Sequence, residues 1–133
     1  MKRQDKIVKA VEQWHNLAER DLTAAEQGLE AHRVLTDTIC FHCQQAAEKY
    51  LKSFLVFHQV DFPKSHNLVT IINLCLTIDK SFEEIIDDAD ILTDYATEIR
   101  YPDDWYEPSM EETKKALKIA INIKNFVLKK IGV

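Results

Sequence analysis

Apolar residues along this chain recur every three or four positions, the spacing of one face of a helix. Val8, Val11, Trp14, Leu17–Ala18, Leu22 and Ala25 form a first stripe, and Gly28 predicts a stop near Glu30. A second helix is predicted from about Thr36 to Gln59, with Cys40, Cys43, Ala46–Ala47, Tyr50–Leu51, Phe54–Leu55 and His58 on one side. It ends at Asp61-Phe62-Pro63, because proline disfavours helical conformation in the residue before it. Ser65 is the expected cap of a shorter apolar helix, Leu68 to Ile78. The capping box Ser81-Phe-Glu-Glu84 predicts the start of a fourth helix, whose stripe Ile85–Ile86, Ala89, Leu92, Tyr95–Ala96 and Ile99 continues to the break at Pro102. A second box, Ser109-Met-Glu-Glu112, opens the fifth. There Ala116, Ile119–Ala120, Ile123 and Phe126–Val127 form a wide stripe, with Leu117, Ile121 and Leu128 outside it. An excess of this kind predicts burial on two sides or pairing with another chain. The pattern describes one all-α domain over residues 1–133, an antiparallel up-and-down bundle of four long helices and one short one.

Composition narrows the function classes. At 133 residues the chain can bury a core without metal or disulfide staples. Two glycines and three prolines are too few for glycine-cradled phosphate sites and for most all-β folds. A net charge of −5 excludes a globally basic nucleic-acid binder, but the charge is unevenly spread. From Asp79 to Glu112 stand 13 acidic and 2 basic residues, and from Thr113 to Val133 six lysines and no acid. Helix-dipole matching with a solvated face accounts for this; so does a basic ridge facing an acidic or phosphate-bearing partner. The three cysteines are odd in number and lie in apolar runs, and no segment resembles a signal peptide or a membrane span. The expectation is a cytoplasmic protein with free thiols and no membrane association.

Several residues invite a chemical reading. Cys40-Phe-His-Cys43 has redox or zinc spacing, but both sulfurs fall on the buried stripe and four zinc ligands are not in reach. Structural packing is expected, with no metal and no cofactor. His42, Gln45, Lys49 and Lys52 form a polar stripe on the second helix, read as a solvated face in preference to an anion site. His66, in Phe62-Pro-Lys-Ser-His66, sits beside a helix start, where a cation opposes the dipole. It is expected to be neutral and hydrogen-bonded, or to face a bound anion. The segment Ile99-Arg100-Tyr101-Pro102-Asp103-Asp104-Trp105-Tyr106-Glu107 gathers one Arg, two Tyr, a Trp and three carboxylates at a helix break. Either Arg100 pairs with Asp103 or Asp104, or its guanidinium meets a phosphate while the rings stack a base.

Taken together, Trp14-x-x-x-Ala18-x-x-Asp21-Leu22, Cys40-Phe-His-Cys-Gln-Gln-Ala-Ala-Glu-Lys-Tyr-Leu-Lys52, Phe62-Pro-Lys-Ser-His66-x-Leu68 and Arg100-Tyr-Pro-Asp103 resemble the HEPN family of prokaryotic helical domains over about residues 10 to 130. The resemblance implies a helical bundle, usually a homodimer, often encoded beside a minimal nucleotidyltransferase in a toxin–antitoxin-like module and associated with nucleotide or RNA. The candidate nucleotide- or RNA-binding set is Arg100, Tyr101 and Asp103 at the helix break, Lys64 and His66 of the other loop shared with the family, and Lys49 and Lys52 of the polar stripe, should these converge on one groove. Many members are metal-independent ribonucleases in which an Arg is followed after four to six residues by His. Here Arg100 is followed at those places by Trp105, Tyr106 and Glu107, and no histidine occurs after His66. Arg100 cannot accept a proton, so Tyr106 or Glu107 would need a strongly shifted pKa to replace the histidine. The expectation is therefore a non-catalytic accessory protein. The alternatives are an endoribonuclease built on Arg100 with Tyr106 or Glu107, and a thiol or zinc protein built on Cys40 and Cys43.

Overall fold

The computed structural model describes residues 2–97 and 101–132. Within them run α1 (Arg3–Glu30), α2 (Thr36–Phe57), α3 (Leu68–Leu76), α4 (Glu83–Thr93) and α5 (Met110–Ile131), with single tight turns at Lys80–Phe82 and Pro102–Asp104. The all-helical expectation holds. α2 is the axis of the molecule, packed against each of the other four helices. Fourteen of its 22 residues are consequently buried, so it has no free polar face and its polar residues need partners inside the protein.

Contacts between elements fix the directions. α1 runs antiparallel to α2: Gly28 lies against Ile39, and at the other end Arg3 donates to Gln59. The loop 58–67 then carries the chain back alongside α1 and α2, placing Phe62 beside Trp14 and His66 beside Gln44. α3 therefore starts level with the middle of α2 and runs in the same direction as it, with Cys75 reaching the Leu51 carbonyl. α4 returns, and α5 descends parallel to α2, from Cys40–Thr113 at one end to the stacked rings of Phe54, Phe82 and Phe126 at the other.

Several element ends differ from those the sequence predicts, each for a local reason. α1, by contrast, ends at Glu30 as predicted, and Gly28 has a packing role as well. A Cβ there would lie 2.7 Å from Ile39 Cγ1, so the glycine permits close approach of α1 to α2. α2 closes through Gln59 in the left-handed region (φ 58°), with the Val60 amide bonding the Leu55 carbonyl, well before Pro63 acts. The cap of α3 is Asn67, which accepts from the Val69 and Thr70 amides, while Ser65 only receives the Asn67 amide. Asp79, not Ser81, initiates the fourth helical segment, because its carboxylate accepts both the amide and the hydroxyl of Ser81. Those bonds hold the Asp79 carboxyl down at about 2. α4 ends at Thr93, earlier than its apolar stripe suggests, and Ile99 and Arg100 lie outside the described residues. The Ser109 box forms as read, with Ser109 and Glu112 bonding each other's amides. Leu117, Ile121 and Leu128 of α5 pack half-buried against the core, so much of its apolar excess is used within the chain. Among the described residues no helix is long and apolar enough to cross a membrane.

Phe82 is fully buried, with ring centroids 4.5 Å from Phe54 and 5.0 Å from Phe126, and joins α2, α4 and α5. Phe82→Ala is expected to lower stability by about 3–5 kcal/mol, because the cavity has three rigid walls. Urea denaturation followed by circular dichroism measures it, and a loss below about 1 kcal/mol would show that the site collapses.

Candidate functional site

Successive turns of α2 carry Gln44, Glu48 and Lys52, all buried. Burying a carboxylate and an ammonium is costly unless each finds its opposite and its hydrogen bonds. Glu48 finds both. Its Oε2 accepts from Lys52 Nζ at 2.9 Å, and its Oε1 accepts from His66 Nδ1 at 2.9 Å and Gln44 Nε2 at 3.2 Å. Gln44 Nε2 also donates to the His66 carbonyl at 2.9 Å, and its own oxygen receives Gln45 Nε2 at 2.7 Å. Lys52 lies 6.0 Å from the Trp14 ring and 5.6 Å from that of Phe62, which meet edge-on. One turn away, Asp21 of α1 accepts from His42 Nδ1 at 2.9 Å and from Lys49.

The polar stripe of α2 is thus not a solvated face. It turns toward α1 and the 58–67 loop, and its lysines are neutralised there by Asp21 and Glu48. His66 is hydrogen-bonded as expected, but to a buried carboxylate: Glu48 fixes its ring while its side chain stays 64% exposed. Lys64 is exposed on the same loop.

A cleft of 460 Å³ opens between the start of α2, residues 94–97 and the approach to α5. Asp37, Phe41, Tyr95, Tyr106 and Glu112 line it. Glu112 accepts from the Tyr95 hydroxyl at 3.1 Å and from that of Tyr106, and Trp105 Nε1 donates to Asp37 at 3.3 Å. The bond to Glu112 pushes the Tyr106 phenol up, burial pushes Tyr95 up, and the Tyr106 hydroxyl holds Glu112 down. Both phenols are thereby held in the protonated form.

Of the sequence-selected residues, the structure joins Lys52 and His66 through Glu48, with Lys49 one turn away on Asp21. Tyr101, Asp103 and Glu107 stand exposed on the segment leading to α5, and Arg100 lies outside the described residues. The Leu68 amide donates to Thr93 Oγ1 at 3.3 Å, so the His66 loop abuts the end of α4, from which that segment departs. Sequence reasoning missed Asp21 and Glu48 as partners. The available signal was a carboxylate set among apolar neighbours, Ala18 and Leu22 in one case and Ala47 and Leu51 in the other. Cys40, Cys43 and Cys75 are free and buried, and burial pushes Cys43 and Cys75 up to about 12. Among the described residues no group of three His, Cys, Asp or Glu is placed to hold a metal.

Comparison with known proteins identifies the family and the fold. The family model of the HEPN domain matches residues 11–131. The crystal structure of an archaeal HEPN homologue is 31% identical, covers 98% of this chain and 99% of its own, and superposes with a TM-score of 0.69. A crystal structure from Thermus thermophilus is 26% identical, covers 90% of this chain and 97% of its own, and gives a TM-score of 0.72. No curated protein matches.

Two outcomes are expected from these side chains. Lys52→Met should lower stability by about 3–5 kcal/mol, since it leaves Glu48 buried without its ammonium, and the double change with Glu48→Leu should recover part of the loss. Chemical denaturation of the single and double variants checks the coupling; simple additivity would contradict it. The three thiols should resist alkylation at pH 8 in native protein and react once it is unfolded, as mass spectrometry can follow.

Proposed function

The chain belongs to the HEPN domain family, and on that basis we propose that it is a homodimeric, non-catalytic binding protein. Its ligand is a nucleotide or RNA, and it serves as accessory to a minimal nucleotidyltransferase in a toxin–antitoxin-like module. One observation carries this reading. Where the family's ribonucleases place a histidine base, Trp105 is bonded to Asp37, Tyr106 is bonded to Glu112 with its phenol pushed up, and Glu107 stands exposed. The turn offers aromatic surface and hydrogen bonds in place of a base. Lys64, His66, Arg100, Tyr101 and Asp103 are the proposed contacts. Lys52 acts through Glu48, which holds the His66 ring in place, and Lys49 through Asp21, which ties α1 to α2.

Labelled RNA incubated with the protein in EDTA should remain intact yet bind, with affinity falling as salt rises, because phosphate contacts are screened. Arg100→Ala should weaken binding by about 1.5–3 kcal/mol, the scale of a lost charged hydrogen bond, and leave the melting temperature unchanged. Cleavage abolished by Arg100→Ala would establish the ribonuclease reading instead. A pull-down from the native host that recovers no nucleotidyltransferase would remove the partner.

A further inference from the structure

A second groove, of 590 Å³, runs between α4 and α5 on the side away from the Glu48 network. Asp88 lies on one wall and Lys114, Lys115 and Lys118 on the other, over a floor that includes Ile119. On α4, Glu84, Asp88 and Ile91 share one exposed stripe at intervals of four and three residues. On α5, Met110, Lys114 and Lys118 share one exposed stripe, of which the two lysines line the groove. Among the described residues none of these acids or lysines is in an ion pair, whereas Lys124 and Lys130 on the same helix are paired with Glu19 and Asp79. Ile91 and Met110 are 39% and 42% exposed, so the charged walls share this surface with apolar side chains.

We propose that this two-walled face is the surface on which two copies of the chain associate. The proposal rests on the dimer reading above and names its interface. A two-fold axis running along a groove carries each wall onto the opposite one. The acidic α4 of one copy then meets the basic α5 of its partner, and the reverse contact forms at the same time. A face of a single sign would repel its copy under the same operation; this one attracts it. The axis also keeps both copies of the 101–108 segment at the same end of the assembly, since it does not invert position along the groove.

Sedimentation velocity on four chains tests the interface: wild type, Glu84→Lys/Asp88→Lys, Lys115→Glu/Lys118→Glu, and all four changes combined. Wild type should be a dimer that weakens as salt rises. Each double variant alone, with like charges facing, should show a dissociation constant raised at least about tenfold. An equimolar mixture of the two, and the fourfold variant with its walls exchanged, should both dimerise; that recovery also shows that the variants fold. Double variants that dimerise as well as wild type would overturn the interface while leaving the dimer reading intact. A monomeric wild type would overturn both, and if its lysine wall bound heparin the ridge would be assigned to polyanions.

Discussion

The Glu48–Lys52 pair is the constraint from which much of this molecule follows. A helix packed by neighbours on every side cannot send its charges to water, so α2 must supply or recruit a partner for each. Lys52 supplies one from the same helix. The remaining acceptor capacity of Glu48 draws in Gln44 and His66, and with His66 the whole return loop. That loop sets where α3 begins, and through the Leu68–Thr93 bond it meets the end of α4. An internal electrostatic requirement thus positions two surface segments that lie far apart in sequence.

The cleft at the start of α2 follows a different logic. Two of its carboxylates are occupied by aromatic donors, Asp37 by Trp105 and Glu112 by Tyr95 and Tyr106. Glu112 is at once a helix cap, an acceptor for two phenols and part of the cleft wall. Because the cap of α5 and the shape of the cleft share one side chain, the segment is anchored to a rigid element despite its exposure.

Much of this was legible in the sequence. Periodicity identified five helices, and the Ser109 box was read correctly because its two members do bond each other's amides. The other capping signals misled because side chains two residues away do the capping: Asn67 accepts the Val69 and Thr70 amides, and Asp79 accepts the amide and hydroxyl of Ser81 itself. The polar stripe of α2 misled for a different reason. Periodicity separates polar from apolar faces but does not say what lies opposite, and only the packing of α1 and the return loop turns His42, Lys49 and Lys52 inward. Glu48 carries no sequence mark of burial beyond its neighbours. The block around Arg100 and the His66 loop were both recognisable, and the contact of that loop with the end of α4 became visible only through Thr93.

The central place of α2 also bears on how the chain comes off the ribosome. α1 and α2 are neighbours in sequence and can pair as soon as both have emerged. The far side of α2, with Cys40, Phe54 and the residues that will meet α5, must wait for a helix that finishes about 70 residues later. At synthesis rates of about 5–20 residues per second that interval lasts several seconds, during which a nascent helical hairpin presents an uncovered apolar flank. The nascent protein therefore passes through a chaperone-accessible stage, which ends when α5 docks.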